Sequence, residues 1–151
     1  MNKAVSVNLD AEREANRLVL DLCLVNKGAG HAVPTGMPGR RLILELDVRS
    51  SSGQQFSEQR VYGRFFKDKD GNTITKDAGY FAAGIKEESD SRLQPDETLD
   101  ERFEFPISAE DIVFYTIKLH YEHSPLGQDE GRTRLTFYTS KRTLSARKTK
   151  G

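Results

Sequence analysis

The chain holds one cysteine and no tryptophan in 151 residues. Cys23 therefore has no partner for a disulfide within the chain. No Cys-x-x-Cys-His occurs, so the chain cannot attach a c-type haem covalently. There is no excess charge of either sign, since Lys+Arg and Asp+Glu both number 23. A balanced chain lacks the basic pull of a nucleic-acid binder. No apolar run approaches the roughly 18 residues of a membrane span, which argues against membrane insertion. Gly-x-Gly-x-x-Gly, P-loop, Gly-x-Ser-x-Gly and His-Glu-x-x-His motifs are missing, as are internal repeats. No secretory h-region follows Met1-Asn2-Lys3. A strand pattern starting so soon after Met1 favours a domain cut from a longer chain over a free cytoplasmic protein.

What is present is period-two alternation. Leu18, Leu20, Leu22 and Leu24 share one face of a strand, and Val19, Cys23 and Val25 share the other with Asp21. Cys23 reads as a small strand residue, because nothing near it in sequence would lower its pKa. Ala4–Leu9 reads as a first strand and Asp10–Ala15 as a turn. Leu42, Leu44, Leu46 and Val48 mark the inner face of Arg40–Ser50, and Gln55–Phe66 continues as strand. Leu99, Phe103 and Phe105 alternate with Asp100, Arg102 and Glu104. Pro106–Asp111 reads as a crossover between sheets. Ile112–His123 carries Val113, Tyr115, Ile117, Leu119 and Tyr121 inward, and Thr133–Ser140 closes the sheet with Leu135 and Phe137. Asn72–Asp90 has no clear period and reads as a long loop, with a short strand near Ile85.

The expected fold is all-β, an immunoglobulin-like sandwich of seven to eight mainly antiparallel strands over residues 1–140. Residues 141–151 hold five Lys or Arg and no acid, and read as a basic, flexible tail.

Between two of the most apolar runs lies Gly28-Ala29-Gly30-His31-Ala32-Val33-Pro34-Thr35-Gly36. Glycine permits positive φ and close backbone approach, and proline fixes its own φ and pushes Val33 towards an extended conformation. Gly36 and at least one of Gly28 and Gly30 are expected at φ values poorly open to other residues. The loop thus has a built shape around one metal-competent side chain, His31. His120 and His123 are three apart on a strand and point to opposite faces, so they do not chelate one metal. His120 shares its face with Lys118 and Glu122 and reads as solvated. Asp68–Asn72 lacks the sixth-position glycine and twelfth-position glutamate of a calcium loop, and Asp70-Gly71 reads as a tight turn.

Val25-Asn26-Lys27-Gly28-Ala29-Gly30-His31-Ala32-Val33-Pro34-Thr35-Gly36, followed by Arg40-Arg41-Leu42, resembles a β-sandwich accessory domain associated with multihaem c-type cytochromes. Asp47 to Gly53, Asp90-Ser91-Arg92-Leu93-Gln94-Pro95-Asp96-Glu97, Phe103–Pro106 and Ile117–Tyr121 extend the match over residues 4–123. The chain departs from the family in lacking upstream haem-attachment sites. The resemblance implies haem c in the parent protein and none held covalently here. It implies a multihaem cytochrome domain as partner, in the same or a neighbouring chain, and a periplasmic or extracellular place for electron transport.

The resemblance makes His31 a candidate haem contact or axial ligand, held by a structural loop of Gly28, Gly30, Pro34, Thr35 and Gly36. The alternative for His31 is a structural pin that bonds its own loop. The alternative for the whole is a free-standing sandwich module binding a protein, carbohydrate or metal ligand, with Tyr62, Tyr80 or Phe81 as contact residues. An enzyme is the third reading, and no acid–base or nucleophile constellation supports it.

Overall fold

The computed structural model describes residues 4–82, 85–126 and 131–147. Nine strands and one short helix follow one another along them. They are β1 (Val5–Glu14), β2 (Arg17–Asn26), β3 (Arg40–Ser50), β4 (Gln55–Asp68), β5 (Thr73–Ile74), α1 (Asp77–Ala82), β6 (Ile85–Asp90), β7 (Thr98–Phe105), β8 (Val113–His123) and β9 (Thr133–Leu144). Every pairing between strands is antiparallel. One sheet runs β1-β2-β7; the other runs β5-β4-β3-β8-β9, with β6 also paired to β4.

The sandwich follows from the alternation. Leu18, Leu20, Leu22 and Leu24 of β2, with Phe103 and Phe105 of β7, form the inner face of the small sheet. Leu42, Leu44, Leu46 and Val48 of β3 lie beside Tyr121, Leu119, Ile117 and Tyr115 of β8 on the inner face of the large one. Each fully buried aliphatic side chain contributes about 1.5–3 kcal/mol relative to exposure. The eight central leucines on these two faces are therefore the main source of cohesion; all are at most 1% exposed. Pro106–Asp111 carries the chain from one sheet to the other, with Ile107 fully buried in the core. At one edge the sheets are joined by a polar contact: the Tyr62 hydroxyl of β4 donates to Glu101 of β7 at 2.7 Å. Burial and the neighbouring Glu101 carboxylate push the Tyr62 phenol far up, so it stays a donor.

Four expectations are corrected. Asp10–Glu14 is strand and not turn. It belongs to edge strand β1, which pairs on one side alone and leaves residues 10–12 exposed, so no apolar alternation is needed there. The 72–90 loop contains β5, α1 and β6, which raises the strand count to nine. The short strand expected near Ile85 is β6, whose Ile85 and Glu88–Asp90 are exposed. The domain does not stop at 140. Lys141–Leu144 continue β9 against Thr116–Val113, and Arg147 donates its backbone N–H to Ala109 and its guanidinium to Arg13. Residues 148–151 lie outside the described part. Leu135, expected inward, is 52% exposed, whereas Phe137 is buried at a register shift of β9 against Leu119 and His120. The extra residue of such a bulge re-aims the side chains beside it.

Leu44 and Leu135 should therefore separate in a urea titration. Leu44→Ala should lose about 2–5 kcal/mol, as buried leucine truncations do. Leu135→Ala should stay within about 0.5 kcal/mol. Equal losses would mean that the inner face is wrongly assigned.

Candidate functional site

Residues 27–39 connect β2 to β3, the one in the small sheet and the other in the large. A buried amide organises them. Asn26 is 1% exposed, and its Nδ2 donates to the carbonyls of His31 (2.8 Å) and Leu93 (3.2 Å). Its Oδ1 accepts from the Ala29 backbone at 3.2 Å. Val33 and Leu93 exchange backbone hydrogen bonds of 2.9 Å in each direction, and Asp96 donates to the Asn26 carbonyl. Asp96 makes this turn with φ of 59°, a left-handed conformation that aspartate tolerates better than most residues. The two best-matching stretches of the sequence, 25–36 and 90–97, are thus one structural unit.

The rest of the loop is pinned as firmly. Lys27 and Gly28 both donate to the Ala4 carbonyl. Pro34 is buried behind a cis Val33–Pro34 peptide. The Thr35 hydroxyl accepts from Arg40 Nη1. Gly39 donates to Asp77 Oδ1 at 2.8 Å and accepts from the Ser124 backbone at 2.7 Å. Asp77 Oδ2 bonds His123 Nε2 at 3.0 Å, so α1, the loop and the end of β8 meet at one carboxylate.

The glycines serve a different purpose from the expected one. Among the described residues the left-handed glycines are Gly53, Gly71 and Gly131, and none of Gly28, Gly30 and Gly36 is among them. A Cβ at Gly30 would meet nothing within 4 Å. At Gly36 it would lie 3.0 Å from Arg92 Nη1 and 3.2 Å from Arg64 Cδ, so that glycine admits two arginines. Gly39, which composition did not single out, is the tightest position. Its Cβ would stand 2.5 Å from the Ser124 carbonyl oxygen and 2.9 Å from Asp77 Oδ1. Close approach, and not backbone handedness, is what the loop demands of glycine.

The three histidines differ in what their rings touch. His120 is 4% exposed, not solvated: Nδ1 meets Thr136 Oγ1 at 2.7 Å and Nε2 meets Glu45 at 2.8 Å. Beside it Glu122, 1% exposed, is surrounded by Arg41, Arg132 and Arg134 at 3.0, 3.4 and 2.8 Å. This outer face of the large sheet is a ladder of paired charges, which a one-strand reading of Lys118, His120 and Glu122 could not reveal. His123 uses Nε2 on Asp77. His31 alone is exposed with Nε2 unbonded among the described residues, while Nδ1 lies 3.0 Å from the Ala32 carbonyl. A carbonyl can only accept, so Nδ1 carries the proton in that bond, and in the neutral ring the lone pair is on Nε2.

The other candidates are structural. Burial pushes the Cys23 thiol up, helped by Asp100 beside it, so it is no reactive thiolate. Tyr62 is buried and bonded to Glu101, which leaves it no open contact ring, and half-buried Tyr80 packs edge-on against Phe66 at 4.9 Å. The Phe81 side chain lies outside the described residues. Asp68 closes the Asp70-Gly71 turn by accepting from the backbones of Asp70 and Asn72. Among the described residues no group of three or more His, Cys, Asp or Glu side chains is placed to hold a metal, and no helix is long and apolar enough to cross a membrane.

No protein-family model and no curated protein matches the chain. Among solved structures it is similar to part of a penta-heme cytochrome c552 from Thermochromatium tepidum, at 22% identity and a TM-score of 0.65 over 95% of this chain. The chain spans 40% of the length of that cytochrome. This likeness shows a common fold. A β-glucosidase 3B from Thermotoga neapolitana is similar at 11% identity and a TM-score of 0.31, over 93% of this chain and 16% of that one. That second likeness is too distant to argue from.

Two outcomes follow from the loop's contacts. Gly39→Ala should destabilise the domain by well over 1 kcal/mol, because a backbone carbonyl cannot move aside as a side chain can. Gly30→Ala should be nearly neutral, and thermal melts of the two variants would check the contrast. The second outcome concerns acid. Hydrogen bonds from Arg92 hold the Asp90 carboxyl below its ordinary range, and Asp90 in return raises Arg92. A depressed carboxylate contributes stability above its unfolded pKa of about 3.9 and loses it as pH falls through the folded value. The melting-temperature gap between the native chain and Asp90→Asn should be full at pH 6 and should close below about pH 4. A gap constant with pH would remove Asp90 as a source of acid sensitivity.

Proposed function

We propose that this chain is a non-catalytic accessory domain of an extracytoplasmic multihaem c-type electron-transfer protein. It docks a haem-bearing domain of the same or a neighbouring chain through its 27–39 loop, with His31 as the haem contact. The observation that carries this reading is the His31 ring. Its Nδ1 is tied to the Ala32 carbonyl and its Nε2 stands exposed on a loop bonded at Ala4, Leu93, Arg40 and Asp77. Axial haem ligation takes an unprotonated imidazole nitrogen in a fixed orientation, with the other ring nitrogen bonded to set the tautomer. The donor present fits that need. Haem c would be attached elsewhere, because this chain has no Cys-x-x-Cys-His. When bound nearby it supplies the electron transfer; this chain supplies position.

The residue resemblance over 4–123 and the fold held in common with part of a penta-heme cytochrome support the same context. The reading of a free-standing binding module loses one of its contact residues, since Tyr62 is buried and bonded to Glu101.

The purified chain can be titrated with a ferric haem peptide that keeps one axial position open, read by its Soret and visible bands. Conversion to the low-spin spectrum should occur at a lower concentration than with free imidazole. His31→Ala should abolish it and His123→Ala should preserve it, with melting temperatures recorded for both. A His31→Ala chain that folds and still converts the haem peptide as well as the native chain would reject the reading.

A further inference from the structure

The alternation that fills the core has an exception on the outer face of the large sheet. Along β8 the outward positions are Phe114, Thr116, Lys118, His120 and Glu122, and Phe114 alone among them is apolar. It is 49% exposed. The register sets Arg49 of β3 and Thr143 of β9 on either side of it, and Asp47 and Lys141 on either side of Thr116 in the next row. Two shallow grooves, of about 440 and 610 Å³, run over this end of the face and share Arg49, Thr116 and Lys141 in their walls. The 27–39 loop lines neither of them.

The cations here differ from those of the ladder at the other end of the same strands. There Arg41 and Arg134 are held by Glu122. Arg49, Lys118 and Lys141 enter no ion pair and no side-chain hydrogen bond among the described residues. Glu45, opposite Lys118, gives one oxygen to His120 and the other to Arg134. Asp47 accepts from the Ser57 hydroxyl at 2.7 Å and is the one acid in the walls, against Arg49, Lys118, Lys141 and Arg142. Like charges gathered on one face repel, and a single acid offsets part of that repulsion. The sequence after Arg147 adds Lys148 and Lys150 and no acid, and the hairpin from β8 to β9 opens at His123 and Thr133, the far end of both strands.

We propose that this end of the outer face docks an acidic segment of another protein, with an apolar side chain of that segment seated on the Phe114 ring. Complementary charge identifies the segment: its carboxylates would meet Arg49, Lys118 and Lys141. An aromatic anchor inside a polar rim is the anatomy of a protein interface, in which the anchor supplies affinity and the charges choose the partner. Single-stranded nucleic acid stacks successive bases on several rings, and one outward ring lies here. An anionic bilayer takes up a broad apolar face, whereas Phe114 is half covered and Asp47 stands outward among the cations.

The full chain can be titrated with the capped peptide Glu-Glu-Leu-Glu-Glu and followed by backbone amide NMR. Controls are Lys-Lys-Leu-Lys-Lys, Glu-Glu-Ser-Glu-Glu, an oligothymidylate and phosphatidylglycerol vesicles. The acidic leucine peptide should shift the amides of Phe114, Thr116, Lys141 and Thr143 saturably, bind more tightly than every control, and weaken as salt is raised. Lys141→Glu and Phe114→Thr should each weaken it about tenfold, the order of a lost anchoring contact. Neither should lower the melting temperature, since both side chains are exposed. Absence of saturable shifts, a control bound as tightly as the peptide, or either variant binding like the native chain would overturn the proposal. So would shifts of the same amides on raising the chain's own concentration, which would assign the face to a second copy. His31 has no part in this surface, so the haem-peptide titration stands or falls separately.

Discussion

The buried amide of Asn26 is the constraint on which the loop and its neighbours depend. A primary amide in the interior needs partners for its donors and its acceptor, or it costs the energy of desolvation. Here the partners are the carbonyls of His31 and Leu93 and the N–H of Ala29, three groups from two separate stretches of chain. The Leu93 carbonyl also accepts from the Val33 backbone, whereas the His31 carbonyl and the Ala29 N–H lie outside any strand pairing and find their partner in Asn26. The side chain thereby substitutes for a missing strand. It continues β2 by one more rung of polar contacts and sets where the 93–97 segment lies. Val33 and Leu93 then add their own backbone pair, and Leu93 is buried as the apolar complement.

Around that point the two faces of the large sheet solve opposite problems. The inner face is filled by aliphatic side chains whose stabilisation is non-directional, and it tolerates alternatives of similar volume. The outer face buries Glu122 and His120, which is costly unless every lone pair and proton is met. Three arginines on Glu122, and Glu45 with Thr136 on His120, meet that requirement. Such a network contributes little net free energy compared with an apolar patch, and it demands one arrangement of β3, β8 and β9. The bulge opposite Leu119 and His120 falls at this ladder and sets Thr136 opposite His120.

How much of this was legible in the sequence depended on whether a residue's neighbours were in its own strand. The alternating leucines of β2 and β3 and the apolar run of β8 announced themselves, because burial on one face writes a period of two. The second half of edge strand β1, read as a turn, did not, because water covers it and any polar residue serves. The outer ladder was hidden for another reason: Glu122, Arg41 and Arg134 are far apart in sequence, and only the register brings them together. In the loop, composition correctly marked a built structure but misassigned its glycines. Gly30 is conspicuous beside His31 and touches nothing, while Gly39 is pressed against Ser124, a neighbour 85 positions away. Close approach is a property of pairs, and a single stretch of sequence holds only half of each pair.

The histidines extend the same argument to function. A ring bonded to a carboxylate through Nε2 is committed, since its outer nitrogen is spent. His120 and His123 are both of this kind, to Glu45 and Asp77. His31 has a carbonyl instead, which orients the ring and adds no full negative charge. Among the described residues no carboxylate is bonded to the ring. The arrangement is good for presenting one lone pair in one direction. A flexible loop would lose that advantage to the entropy of ordering upon contact. The bonds at Ala4, Leu93, Arg40 and Asp77 order the chain on both sides of His31, so the cost of orienting the ring is met in folding.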